Sequence, residues 1–137
     1  IRQRRGLLFA GPVGTGKTAI AAAIAHDIDG WAFWPVTDLV QHLMDSYADN
    51  SFGYRFSALA RRRILVLDDL GAERDTDGQT DLVVKLLDAR HRGDGHTVIT
   101  TNLPPALREV RYGQRIESRL RDMCQTVPVV GDDRRVA

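Results

Sequence analysis

Apolar residues in this chain fall in short unbroken runs, separated by longer stretches where they recur every third or fourth position. The clearest runs are Leu7–Ala10, Trp31–Val36 and Ile64–Leu67, with Thr97–Thr101 and Thr126–Val130 reading as a fourth and a fifth strand. Runs that are apolar throughout, rather than alternating, predict strands covered on both faces, as in a parallel sheet. Between them, Gly16–Asp27 is rich in Ala and Ile, which predicts a helix packed closely on that sheet. Thr37-Asp38 reads as the cap of a helix carrying Leu39, Val40, Leu43, Met44 and Tyr47 at helical spacing. Asp49–Gly53 reads as a loop and Tyr54–Arg61 as a short helix. Asp81–His91 predicts a helix with Leu82, Val83, Leu86 and Leu87 as its buried stripe. Pro104-Pro105 breaks the chain before one short helix, and Arg111–Asp122 reads as another. Strands alternating with helices predict a three-layer, doubly wound α/β domain with a five-stranded, mainly parallel sheet.

At 137 residues the chain is expected to form one domain over residues 1–137, with a substantial core. Its formal net charge of +1 points to no particular partner, although a local basic patch is compatible with a balanced total. Lys17 and Lys85 are the only lysines in a chain rich in arginine, so a lysine inside a glycine-rich segment stands out. Cys124 is the single cysteine; it excludes an internal disulfide, fits a reducing cytoplasmic setting and reads as a buried, inert thiol. The four histidines have no zinc-site spacing with it. No apolar run approaches the roughly 18 residues of a membrane-spanning helix, so no membrane partner is expected. The chain starts almost on its first strand, which points to a fragment lacking an N-terminal region. Arg61-Arg62-Arg63 reads as a solvated turn.

Directly after the first strand stands "GPVGTGKT", which matches Gly-x-x-x-x-Gly-Lys-Thr in full. Glycines let the backbone curl so that successive N–H groups face phosphate oxygens. A helix starting there adds unpaired N–H donors and the positive end of its dipole. The segment Gly11, Pro12, Val13, Gly14, Thr15, Gly16, Lys17, Thr18 and Ala19 is therefore the predicted cradle for a nucleoside triphosphate, ATP. Lys17 would reach the β- and γ-phosphates, and the Thr18 hydroxyl would ligate Mg²⁺.

The third strand ends in Asp68-Asp69, carboxylates placed where ligands sit in open α/β sheets. Asp68 is the expected holder of Mg²⁺ and Asp69 the expected base for an attacking water. Glu73, four residues on, is the other candidate for that base.

In that order, "LLFAGPVGTGKT", "ILVLDDLGAE", "TVITTNL" and "RIESRL" resemble the AAA+ domain of DnaC-type bacterial helicase loaders. IstB-type transposition helper ATPases share the set, and the resemblance spans Leu7 to Arg135. It implies that Asn102 is the sensor 1 residue, placed near the γ-phosphate and its water. It implies that Arg119, in Ser118-Arg119-Leu120, is an arginine finger reaching the ATP of a neighbouring subunit. Other arginines of the same stretch, Arg111, Arg115 and Arg121, read as mostly solvated. Arg135 matches sensor 2, with Arg134 as the fallback, although an aromatic residue often stands where this chain has Arg134. The resemblance also implies a domain without a substantial C-terminal lid.

By the same resemblance, Thr37–Arg63 corresponds to a helical insertion that helps to line a channel for single-stranded DNA. Tyr47, Phe52, Tyr54, Arg55 and Phe56 supply aromatic faces and a cation, with Tyr54 and Arg55 the best placed for DNA. The implied activity is Mg²⁺-dependent ATP hydrolysis by a homo-oligomer with shared sites, acting with a replicative helicase or a transposase. Two rival readings are an ATP-binding adaptor that barely hydrolyses, and a small P-loop kinase. The kinase reading lacks an evident acceptor pocket or lid.

Overall fold

A computed structural model describes residues 4–130. Its elements run β1 (Gly6–Ala10), α1 (Lys17–His26), β2 (Trp31–Pro35), α2 (Val36–Asp45), α3 (Phe52–Arg61) and β3 (Ile64–Leu70). They continue with α4 (Asp77–Arg92), β4 (His96–Thr101), α5 (Pro105–Tyr112), α6 (Gln114–Met123) and β5 (Cys124–Pro128). The five strands form one sheet in the order β2-β3-β4-β1-β5, and every pairing is parallel. The register sets Ala10 beside both Thr101 and Pro128, and Pro35 beside Asp68, so the C-terminal ends of the strands share one edge.

Strand side chains alternate between two apolar layers. Leu8, Leu65, Leu67 and Ile99 pack with the buried stripes of α2, α4 and α6. Phe9, Ile64, Val66 and Val98 pack with Ala21 and Ala25 of α1, both fully buried. Burial on both faces is why these strands read as continuous apolar runs. Alanine at the contact positions of α1 keeps that helix, and the loop that leads into it, close to the sheet.

Several boundaries differ from the sequence expectation. Thr37-Asp38 is not a cap: α2 starts at Val36, directly after Pro35, and Thr37 lies inside it. Val36 is buried beside Leu39, Val40 and Leu43, so packing brings the helix start forward. Pro35 costs no ladder hydrogen bond on the outer side, because β2 is an edge strand. Helix α4 begins at Asp77 rather than Asp81, with the Thr76 hydroxyl accepting from the Gln79 amide at 3.3 Å. Its first turn, Asp77-Gly78-Gln79-Thr80, has no apolar residue to reveal it. The helix expected over Arg111–Asp122 is divided at Gly113 (φ 95°): Arg111 and Tyr112 close α5, and α6 starts at Gln114. Strand β5 starts at Cys124, whose thiol is buried and, by that burial, has its pKa pushed up to about 12. Among the described residues no helical lid follows β5 and no helix is long and apolar enough to cross a membrane.

Candidate functional site

The loop after β1 is shaped by backbone constraints that only glycine meets. Gly14 and Gly16 have φ of 82° and 86°, in the left-handed region. A Cβ on Gly11 would lie 2.0 Å from the Val129 carbonyl oxygen, while the Gly11 amide donates to the Thr101 carbonyl at 3.2 Å. The loop is thus pinned between the ends of β4 and β5. Helix α1 opens at Lys17 with no side chain capping its first amides, which leaves those donors facing the loop.

Lys17 is buried, and its Nζ donates to the Gly11 and Pro12 carbonyls at 2.8 and 2.6 Å and to Thr15 Oγ1 at 3.3 Å. Thr15 Oγ1 in turn donates to the Pro12 carbonyl at 3.0 Å. Burial lowers the Lys17 pKa; the nearby carboxylates of Asp69 and Asp68 oppose that shift.

Across the sheet edge a chain of hydrogen bonds joins three elements. Thr18 Oγ1 on α1 donates to Asp68 Oδ1 at 2.8 Å, and Thr100 Oγ1 on β4 donates to the same oxygen at 2.8 Å. The Asp69 amide then donates to Thr100 Oγ1 at 2.8 Å. The β3–β4 register shifts between Leu67 and Leu70, and Asp69 takes φ 61°, an uncommon conformation for a residue other than glycine. That kink buries Asp68 and Leu70 and leaves Asp69 exposed in the cleft. Partial burial, and then the Asp68 and Glu73 charges, raise the Asp69 pKa, with Lys17 opposing.

These groups face an open cleft of about 530 Å³, walled by residues 13–19, Ala22, Asp69, Thr100 and Asn102. Asn102 stands where the chain leaves β4. Its turn is fixed by Thr101 Oγ1, which donates to the Leu70 carbonyl at 2.7 Å and accepts from the Leu103 amide at 3.1 Å. The cleft therefore brings together the glycine loop, Lys17, Thr18, Ala19, Asp69 and Asn102, with Asp68 tied in through Thr18. Hard oxygen donors at Thr18 and Asp68 suit Mg²⁺, which takes one or two protein ligands and completes its shell with phosphate and water. Among the described residues no cluster of three or more His, Cys, Asp or Glu side chains could hold a metal by itself.

Other predicted residues lie elsewhere. Glu73 is buried; it accepts from the Gly71 amide at 2.9 Å and from the Tyr112 hydroxyl, and Arg111 Nε lies 3.7 Å away. Burial and the Glu73 charge raise the Tyr112 pKa. Arg111 is not solvated as expected: it donates to the Gly71 carbonyl at 2.9 Å and to the Glu73 carbonyl. Arg115 and Arg121 are largely exposed, as expected. Arg119 does not line the cleft; it pairs with Asp88 of α4. Arg134 and Arg135 lie outside the described residues. On α3, Tyr54 is 81% exposed. Arg55 is half-buried, donating to the His42 carbonyl at 2.9 Å and facing Asp49 at 3.5 Å. Tyr47, Phe52 and Phe56 stack on one another, with centroid distances of 4.9 and 5.6 Å.

Sequence reading missed Thr100, whose hydroxyl ties the Asp68 carboxylate to the Asp69 backbone amide; its signal was the threonine pair that closes the strand. It also missed the buried pair Arg108–Glu117, bonded twice at 2.9 and 2.8 Å, which fixes α6 to α5.

The family whose description is IstB-like ATP binding protein matches residues 1–136. The chain belongs to the IstB-like ATP-binding family. A protein described as an ATP-binding protein of insertion sequence IS1162 from Pseudomonas fluorescens is 36% identical over 109 residues, covering 76% of this chain and 46% of that protein. The replicative helicase loader DnaI of Bacillus subtilis is 29% identical over 106 residues, covering 74% of this chain and 34% of that protein. This chain thus spans half or less of either relative. Among solved structures, the crystal structure of the DnaC helicase loader superimposes with a TM-score of 0.84 at 28% identity, over 92% of this chain and 78% of that one. The α/β P-loop fold, the ATP-binding family and the likeness to helicase loaders and insertion-sequence proteins all agree with the sequence reading.

Proposed function

We propose that this IstB-like chain hydrolyses ATP with Mg²⁺, as the engine of a helicase loader or transposition helper that assembles on single-stranded DNA. The observation that carries the proposal is the run of hydrogen bonds Thr18–Asp68–Thr100–Asp69, which sets the Thr18 and Asp68 oxygens beside Asp69 at the edge of the glycine loop.

The loop amides and Lys17 bind the β- and γ-phosphates, with Lys17 exchanging the loop carbonyls for phosphate oxygens. Thr18 and Asp68 are the residues that would hold Mg²⁺, which would supply positive charge to offset that of the triphosphate. Asp69 orients a water for in-line attack and takes its proton as the bond from the γ-phosphorus to the leaving oxygen breaks, giving ADP and phosphate. Its raised pKa favours that proton transfer. Glu73 is engaged by Tyr112 and Gly71, which supports Asp69 as the base. Asn102 positions the water and the γ-phosphate. Arg119 of an adjacent copy supplies the remaining cation in a shared site, and Arg135 serves as sensor 2. Tyr54 offers an open face for stacking a base, while Arg55 stiffens the turn that presents it. A replicative helicase or a transposase is the protein partner.

The test is phosphate release measured across protein concentration, with and without single-stranded DNA. A steep concentration dependence and stimulation by DNA are expected. Tight ATP binding with no phosphate release under any condition would overturn hydrolysis and leave an ATP-binding adaptor.

A further inference from the structure

Asp88 gathers three guanidinium groups at the seam of α4 and α6. Arg92 Nη1 lies 3.0 Å from its Oδ2, Arg115 Nη1 lies 3.2 Å from its Oδ1, and Arg119 Nη1 contacts the same Oδ1. The carboxylate is 19% exposed and the Arg119 side chain 30%, whereas Arg92 and Arg115 are 66% and 58% exposed. We propose that Asp88 is a positioning residue, a latch that keeps Arg119 docked on its own subunit until a neighbour's ATP takes it. The inference rests on Arg119 being the cation of a shared site.

Three features favour a latch over a permanent strut. A triphosphate carries more negative charge than one carboxylate, so it competes well for the guanidinium. When Arg119 departs, Arg92 and Arg115 still neutralise Asp88, so no uncompensated carboxylate is left behind. The backbone of α6 is held by the buried Arg108–Glu117 pair, two residues from Arg119, so release is confined to the Arg119 side chain.

Latching lowers the fraction of subunits whose Arg119 is free, and apparent assembly affinity falls by that fraction. For a partly exposed ion pair the effect is about two- to fivefold. The full chain is titrated for ATP hydrolysis on single-stranded DNA. Asp88→Asn is expected to lower the protein concentration at half-maximal rate by that factor, and Asp88→Glu to restore it. The double variant Arg92→Ala/Arg115→Ala leaves Asp88 to Arg119 alone and is expected to raise it. A lost structural contact would shift both in one direction. In nucleotide-free protein, Asp88→Asn is also expected to speed hydrogen exchange of the Arg119 guanidinium, a readout independent of hydrolysis.

Unchanged exchange, or shifts of the same sign in the two variants, overturns the latch. Arg119→Ala separates the two ideas. If it hydrolyses like the parent, the shared-site reading fails; if it is slow while Asp88→Asn changes nothing, only the latch fails.

Discussion

Replacing Thr100 by valine removes one hydroxyl from the edge of β4 and keeps the side chain's shape. That hydroxyl is buried; it donates to Asp68 Oδ1 at 2.8 Å and accepts from the Asp69 amide at 2.8 Å. Two linked losses follow. A hydrogen bond to a charged group contributes about 1.5–3 kcal/mol, and a partly buried amide left without its acceptor costs toward the low end of about 1–3 kcal/mol. Some relaxation toward the cleft is available to Asp69, so the expected destabilisation is about 2–4 kcal/mol. The kink that turns Asp69 into the cleft also loses its anchor, so hydrolysis should fall more than ATP binding does. Urea unfolding of Thr100→Val beside the parent measures the first effect; single-turnover phosphate release at saturating Mg·ATP measures the second. A loss below about 0.5 kcal/mol, within the range of inconsequential surface changes, together with unaltered turnover would refute the claim that Thr100 ties the Asp68 carboxylate to the Asp69 backbone.

Asp69→Asn should abolish hydrolysis yet stabilise the fold, because the folded protein disfavours the Asp69 charge. Asparagine also tolerates the left-handed conformation at this position. The sign follows from the raised pKa: below the unfolded value both states hold the proton and the substitution gains nothing, whereas above the folded value the gain is complete. Unfolding measured from acid to neutral pH should show a gain that fades toward acid; a constant gain would contradict it. Arg90→Ala should cost about 3 kcal/mol or more, since the buried guanidinium serves the carbonyls of Ala60 and His96 at 3.1 and 2.6 Å and Thr97 Oγ1 at 3.0 Å. Thermal melting checks this, and an unchanged midpoint would show that water replaces the arginine without loss.

Much of the fold and the cleft was legible because backbone physics restricts the sequence there. Gly14 and Gly16 need left-handed φ, Gly11 has no room for a Cβ, and strands buried on both faces must be apolar throughout. Polar groups that act inside the fold were not legible. Arg90, Arg108 and Arg111 look like surface arginines in a chain full of them, yet Arg90 and Arg111 serve carbonyls 30 and 40 residues away and Arg108 pairs with a carboxylate on the next helix. Burial even brings the Arg90 pKa down to about 10. No local pattern announces such a partner. The start of α4 escaped for a related reason: a first turn held by Thr76 and facing solvent needs no apolar stripe. The ring stack of Tyr47, Phe52 and Phe56 shows aromatic residues of the insertion packing on each other, while Tyr54 stands outside the stack as the most exposed of them.

Calorimetric titration of Mg·ATP into the parent, Lys17→Ala and Asp68→Ala, each confirmed as folded by circular dichroism, tests most directly whether this cleft encloses a triphosphate. Removal of the Lys17 ammonium should weaken binding by about ten- to a hundredfold, the range of one or two charge-assisted hydrogen bonds. Asp68→Ala should lose the Mg²⁺ dependence of the affinity. Parent-like affinity and parent-like Mg²⁺ dependence in both variants would contradict the account.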